Sequence, residues 1–202
     1  MKLVCLDLEG VLVPEIWIAL ADARGIPEFR RTTRDEPDYD KLMAYRLALL
    51  DKHGLKLPDI QRVIGAVEPL DGALAFTASL RKRAQLIILS DTFEQFARPL
   101  MQKLGWPVLF CNSLIADSSG RISGYKLRQE EGKMHAVAAF RSINIEVFAA
   151  GDSFNDLKMI AQADAGCLFR APDIIRRDYA QIPCVDTYSD LLARIDDFLG
   201  KR

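Results

Sequence analysis

The sequence predicts an α/β fold, a parallel sheet covered by helices on both faces and interrupted once by an all-helical insertion. Three observations predict it. Short apolar runs recur at residues 3–6, 86–89, 108–111, 147–150 and 167–169, as expected of strands buried on both faces. Several of these runs lead through turn residues into a helical pattern, the alternation of βαβ units. Between the first and second runs the alternation stops, and residues 14–70 contain no convincing strand.

Taken in order, residues 3–6 form the first strand, and Asp7 and Glu9 follow it two residues apart. An extended chain points both carboxylates the same way while Leu8 packs inward, and Gly10 permits a sharp change of direction. This pair lies at the carboxyl end of a strand, where open α/β sheets bind ligands. Residues 14–24 read as a helix with Ile16, Leu20 and Ala23 on one face, stopped by Gly25 and Pro27. A polar loop over residues 30–37 leads to a second helix, residues 38–53, with Leu42, Tyr45 and Leu49 on one stripe and Gly54 as its stop. A shorter helix covers residues 58–67. Placed directly after a strand that ends in carboxylates, this block reads as a lid over a site.

Asp71 suits the N-cap of a further helix carrying Leu74, Ala78 and Leu80, whose Arg81-Lys82-Arg83 end complements the helix dipole. After Thr92 a helix runs through Phe93, Phe96, Leu100 and Leu104 to Gly105, with Pro99 predicting a kink or a late start. Residues 108–127 read as a short antiparallel excursion turning at Asp117-Ser118-Ser119-Gly120. A helix at 130–143 buries Ala136, Val137 and Phe140, and a closing helix at 188–199 presents Leu191, Leu192, Ile195 and Leu199.

At 202 residues the chain suits one domain or a core with a modest insertion. It is half apolar with 27% charged residues, a soluble globular balance. No apolar run approaches the ~20 residues of a membrane span, and the N-terminal run, broken by Asp7, lacks a signal-peptide pattern and is expected to belong to the fold. Cys5, Cys111, Cys167 and Cys184 are scattered without C-x-x-C spacing, which argues against zinc and fits reduced thiols in a cytoplasmic protein. A net charge of −1 with interspersed signs leaves no electrostatic footprint for nucleic acid. Oligomeric state is not legible.

Three further stretches carry chemistry. Gly151-Asp152-Ser153-Phe154-Asn155-Asp156 follows the fourth apolar run. Capping by Asp152 or Ser153 accounts for one of these residues but not for all. With Asp7 and Glu9 they form a cluster of hard oxygen ligands suited to Mg²⁺. Leu89-Ser90-Asp91-Thr92-Phe93 reads as a strand entering a helix, where a hydroxyl and free N–H groups make an anion site. Lys133 begins the helix after the excursion, and by itself would be a surface lysine.

These residues, in this order, resemble the haloacid dehalogenase-like superfamily of phosphotransferases over nearly the whole chain. The first motif of that family, D-x-D-x-[TV], stands here as Asp7-Leu8-Glu9-Gly10-Val11; Ser90, Lys133 and the run 151–156 match the other three. The resemblance implies a Rossmann-like core over residues 1–13 and 71–202 and a helical cap over 14–70 that sets specificity. The helical insertion after the first motif looks like the phosphoserine phosphatase branch.

For the residues, the resemblance implies Asp7 as nucleophile forming an aspartyl-phosphate, and Glu9 as general acid and then base. Asp7, the Glu9 carbonyl and Asp152 are implied to hold Mg²⁺, and Ser90, Lys133 and Asn155 to bind the phosphoryl group. Asp156 is implied to support the metal or Lys133 from behind. Glu15 and Arg46 occupy positions that meet the amino group and carboxylate of phosphoserine; Arg46 falls on an apolar helix face, where it either reaches out to solvent or has a carboxylate partner. Two departures stand out. Glu9 replaces the commoner Asp, moving the carboxyl by roughly one bond of 1.5 Å. Asp91-Thr92 replaces the usual Gly-Gly after Ser90 and adds a charge beside the phosphate pocket. Both resemble the phosphoserine:homoserine phosphotransferase subgroup, in which homoserine accepts the phosphoryl group in place of water. The rival readings are a phosphatase for another small phosphomonoester and a receiver-like signalling module with a phospho-accepting Asp.

Overall fold

The computed structural model describes residues 1–33, 35, 36 and 38–200; Arg34 and Pro37 of the polar loop lie outside the described residues. Seven strands form one sheet: β1 (Lys2–Leu6), β2 (Gln85–Phe93), β3 (Val108–Ala116), β4 (Ile122–Lys126), β5 (Glu146–Gly151), β6 (Ala165–Phe169) and β7 (Cys184–Val185). Their order is β4-β3-β2-β1-β5-β6-β7. Every pairing is parallel except the β3–β4 hairpin. Chain order reverses between β1 and β5, which makes the edge above them the topological switch point. Leu6 pairs with Ile88 on one side and Ala150 on the other, so the ends of three strands open onto one spot.

Alternation along the strands divides the core in two. Val4, Leu6, Ile88, Phe148 and Ala150 face one way, and Leu3, Cys5, Val147 and Ala149 the other. The insertion between β1 and β2 is helical, with α1 (Ile16–Arg24), α2 (Tyr39–Lys52) and α3 (Leu57–Ala66). Its apolar residues Trp17, Leu20, Phe29, Met43 and Ile60 join the first of the two cores. Trp17 stacks on Phe29 at 5.7 Å and meets Phe96 edge-on at 5.6 Å, contacts that add to area burial. α4 (Ala73–Arg81), α5 (Glu94–Lys103), α6 (Gly132–Ser142), α7 (Leu157–Gln162), α8 (Asp173–Asp178) and α9 (Tyr188–Leu199) complete the layers. Among the described residues no helix is long and apolar enough to cross a membrane. All four cysteines are free, Cys5 and Cys167 buried and the other two half-buried.

Several local expectations change. Asp71 does not cap α4: Gly72 does, at φ +85°, and Ala73, Phe76, Thr77 and Leu80 form the buried face while Leu74 is exposed. Ala23 is exposed on α1, where Trp17 and Ala21 are buried instead. Phe93 ends β2 rather than starting a helix, because the strand continues past Leu89 through a register irregularity. β7 and α8 carry no periodic signal long enough to have been read.

α5 does not start late: it begins at Glu94 and carries Pro99 within it. Pro99 lacks the N–H that would reach the carbonyl four residues back. That carbonyl belongs to Gln95, and the Gln61 side chain on α3 donates to it at 2.9 Å. The Gln95 side chain in turn pairs with both backbone groups of Leu114, donating at 3.1 Å and accepting at 2.9 Å. A proline-freed acceptor thus ties the insertion to the sheet layer. Gln61→Leu should destabilise the protein by about 1 kcal/mol in urea unfolding. The loss should shrink in a Pro99→Ala background, where residue 99 supplies its own N–H; equal losses in both backgrounds would contradict this role.

Candidate active site

The site is assembled at the ends of β1, β2 and β5 and the start of α6. Asp7, the first residue beyond β1, is buried; its Oδ1 accepts from the Leu8 N–H at 2.7 Å and lies 2.9 Å from Lys133 Nζ. Its carboxyl is held well above the ordinary range, first by burial and then by Asp156, with Lys133 opposing. Two residues on, the Ile16 N–H donates to Glu9 Oε2 at 2.8 Å. Glu9 therefore caps α1, whereas Glu15, immediately before the helix, makes no side-chain cap. Burial and the neighbouring Glu15 push the Glu9 carboxyl up to about 7.

The second carboxylate group is built by β5 and the turn after it. Asp156 is fully buried, and its Oδ2 accepts from the N–H groups of Asp152 (3.1 Å) and Ser153 (3.1 Å) and from Ser153 Oγ (3.0 Å). Its Oδ1 accepts from Lys133 Nζ at 2.8 Å. Two glycines make room for this packing. A Cβ on Gly151 would lie 2.1 Å from Asp156 Cγ, and one on Gly10, at φ +76°, 2.5 Å from the Asp152 carboxylate. Lys133 is buried at the start of α6. Burial disfavours its charge, but Asp156, Asp7 and Asp91 outweigh that and hold the ammonium well above its usual range.

Ser90 and Asp91 lie within β2, not at a helix start, so the expected helix N-terminal anion site is absent there. The Ser90 hydroxyl accepts from the Thr92 N–H at 3.2 Å, and Asp91 Oδ2 stands 3.6 Å from Lys133 Nζ. Carboxylate oxygens of Asp7, Asp152 and Asp156 come within 4.8 Å of one another. Lys133, which pairs with Asp7, Asp156 and Asp91, leaves this cluster with an excess of negative charge that a divalent cation would offset, and hard carboxylate oxygens suit Mg²⁺. Asp156 is engaged on both oxygens, so Asp7 and Asp152 are the carboxylates that could hold the ion. Glu9 is expected to offer the metal its backbone carbonyl, and its carboxylate Oε2 is taken by the Ile16 N–H.

A pocket of about 100 Å³ connects these groups to the insertion. Asp7, Glu9, Ser90, Asp91, Lys133, Asp152 and the exposed Asn155 line it together with Glu15 and Arg46. Arg46 does not reach solvent, nor does it meet a protein carboxylate among the described residues. It is buried, its guanidinium 4.6 Å over the Trp17 ring, and it donates to the Arg31 carbonyl at 3.0 Å. Its buried Nε has no hydrogen-bond partner among the described residues. The sequence reading missed Trp17, Tyr39, Thr32 and Thr33, which also line the pocket. Tyr39 was findable: it lies seven residues before Arg46, on the same helical face.

A family model described as haloacid dehalogenase-like hydrolase matches residues 1–164. The chain is 55% identical over 191 residues to phosphoserine phosphatase ThrH of Pseudomonas aeruginosa, covering 95% of this chain and 93% of that one. It is 54% identical over 190 residues to a phosphoserine phosphatase of Pseudomonas syringae pv. tomato, covering 94% and 80%. Among solved structures, a phosphoserine phosphatase in apo form superposes with a TM-score of 0.76 at 21% identity, covering 95% of this chain and 98% of that one. A phospho-aspartyl intermediate analogue of phosphoserine phosphatase gives 0.77 at 20%, covering 95% and 97%. The fold, the sequence match over most of the chain and the carboxylate–lysine cluster agree: the chain belongs to the haloacid dehalogenase-like hydrolase family.

Proposed function

We propose that the protein is a Mg²⁺-dependent phosphoserine phosphatase working through an aspartyl-phosphate, with transfer of the phosphoryl group to homoserine as a second outcome. One observation carries the reading. A single pocket joins a phosphoryl-handling end, Asp7 against Lys133, to an amino-acid-handling end, Glu15 with the buried Arg46 and its unpartnered Nε. The names of the two Pseudomonas relatives, both phosphoserine phosphatases, support the hydrolytic part of this reading.

In this reading an Asp7 oxygen attacks phosphorus and the bond from phosphorus to the serine oxygen breaks. Glu9 gives its proton to the leaving oxygen, a task suited to a carboxyl that titrates near neutrality. Glu9 then takes a proton from water or from the homoserine hydroxyl as that oxygen attacks phosphorus, and Asp7 is regenerated. Lys133, Ser90 and Asn155 hold the phosphoryl oxygens. Asp156 fixes Lys133 from behind. Mg²⁺, held by Asp7, Asp152 and the Glu9 carbonyl, would offset the repulsion between carboxylate and phosphate dianion. Residues 14–70 act as the cap over residues 1–13 and 71–202, and Arg46 takes the substrate carboxylate in the bidentate way its fork favours. A receiver-like module is disfavoured, since here the acceptor aspartate ends the first strand and a helical insertion follows it.

Given phosphoserine and Mg²⁺ the protein should release serine and phosphate, and added homoserine should divert phosphate into phosphohomoserine. Absence of serine release under both conditions overturns the substrate assignment. Asp7→Asn should abolish turnover and phosphoenzyme. Glu9→Gln should lose ~10²–10⁴ in kcat on phosphoserine. In single-turnover experiments phosphoenzyme formation should slow on phosphoserine but not on p-nitrophenyl phosphate, whose leaving group needs no proton, while phosphoenzyme hydrolysis slows for both. Equal slowing of phosphoenzyme formation on the two esters contradicts the acid role. Arg46→Ala should raise KM for phosphoserine about 10- to 100-fold and leave p-nitrophenyl phosphate nearly unchanged.

A further inference from the structure

Lys133 is the group that would receive the phosphoryl oxygens, and its ammonium has three N–H donors. Asp156 and Asp7 stand at 2.8 Å and 2.9 Å and are both buried. Asp91 stands at 3.6 Å, its side chain 42% exposed. That separation is an ion pair without a proper hydrogen bond, so Asp91 is the loosest of the three partners. Its backbone, by contrast, is fixed: the Asp91 carbonyl accepts from Asn112 Nδ2 at 3.0 Å and from the Tyr39 hydroxyl at 3.3 Å. Only the carboxylate is placed to move. An incoming phosphoryl oxygen needs a donor on Lys133, and Asp91 is the partner that can yield one.

We propose that Asp91 is a positioning residue that competes with the phosphoryl group for Lys133. Its carboxylate neutralises the exposed side of the ammonium while the pocket is empty and is displaced when a phosphoryl group binds between Asp7 and Ser90. Displacement brings a carboxylate and a phosphate dianion close together, and their repulsion weakens the binding of every phosphate by the same amount. A ligand that also engages Glu15 and Arg46 offsets this loss; inorganic phosphate has nothing to offset it with. Asp91 thus lowers the affinity for free phosphate, the hydrolytic product, and for phosphomonoesters lacking an amino-acid end to a level that ligands also gripped by Glu15 and Arg46 exceed, without changing the ratio between them. This inference rests on the phosphoserine reading for the far end of the pocket, but its competition at Lys133 does not.

The test is Asp91→Asn, which removes the charge at nearly constant shape, with Asp91→Ser as a second variant. Binding of inorganic phosphate to the Mg²⁺-loaded protein is measured by calorimetry, and kinetics are followed on phosphoserine and p-nitrophenyl phosphate. Both variants should bind phosphate about tenfold more tightly, a change of about 1.4 kcal/mol. KM for p-nitrophenyl phosphate should fall by a similar factor. On phosphoserine kcat should fall or stay level, because phosphate leaves more slowly, and should not rise. Unchanged or weaker phosphate binding in both variants overturns the proposal, since a residue that merely supports Lys133 would weaken it. Tighter phosphate binding without any phosphoserine turnover by the parent protein would uphold the competition and sink the substrate assignment instead. Normal phosphoserine turnover with unmoved phosphate binding would do the reverse.

Discussion

The buried ammonium of Lys133, held between Asp7 and Asp156, is the interaction on which the rest of the site depends. Charges removed from water are retained only when paired and hydrogen-bonded, and this pairing draws its members from three places. Asp7 comes from the end of β1, Asp156 from the turn after β5, and Lys133 from the first turn of α6. Parallel pairing of β1 with β5 brings the two carboxylates level. Asp156 is then locked by two backbone N–H groups and a hydroxyl, so the lysine is aimed by a carboxylate that cannot turn. Without the lysine, Asp7, Asp152 and Asp156 would repel one another in a space lined by backbone.

The same economy of room explains the two glycines. Gly10 and Gly151 stand where a Cβ would meet the carboxylates of Asp152 and Asp156. They allow the acidic groups to approach closely enough to share one cation, and Gly10 also takes the positive φ that turns the chain away from β1. Site and turn are therefore one construction, and neither could be moved without the other.

The insertion is bound to this construction from two directions. Its apolar residues continue the core on one face of the sheet, and its first helix is capped by Glu9, a residue of the acidic motif itself. The longer side chain of Glu9 reaches the Ile16 N–H, so the group suited to handle the proton is also the group that fixes where α1 begins. Arg46 is positioned by Trp17 and the Arg31 carbonyl rather than by a carboxylate. Its charge is thereby kept facing the pocket, with part of its donor capacity unspent.

Much of this was legible in the residues. Buried parallel strands appear as continuous apolar runs, and the runs at 3–6, 86–89 and 147–150 lie within β1, β2 and β5. The acidic residues at strand ends could be recognised because their motif order is itself a linear pattern. What stayed illegible was whatever depends on partners distant in sequence. Asp71 looks like a cap in isolation, but the chain enters α4 through Gly72. Pro99 should interrupt a helix by local rules, yet Gln61 compensates by donating to the Gln95 carbonyl, 34 residues away from it in the chain. Asp156 could be placed behind the metal or Lys133 from its motif, but only the fold shows both its oxygens engaged. The sequence by itself determined the layer architecture and singled out the acidic and basic residues of the candidate site, because periodicity and motif order are properties of a chain. The tertiary structure alone decided which carboxylates face Lys133, which of them stands farthest from it, and where Arg46 lies, because charge pairing in a buried site depends on distances between segments the sequence keeps apart.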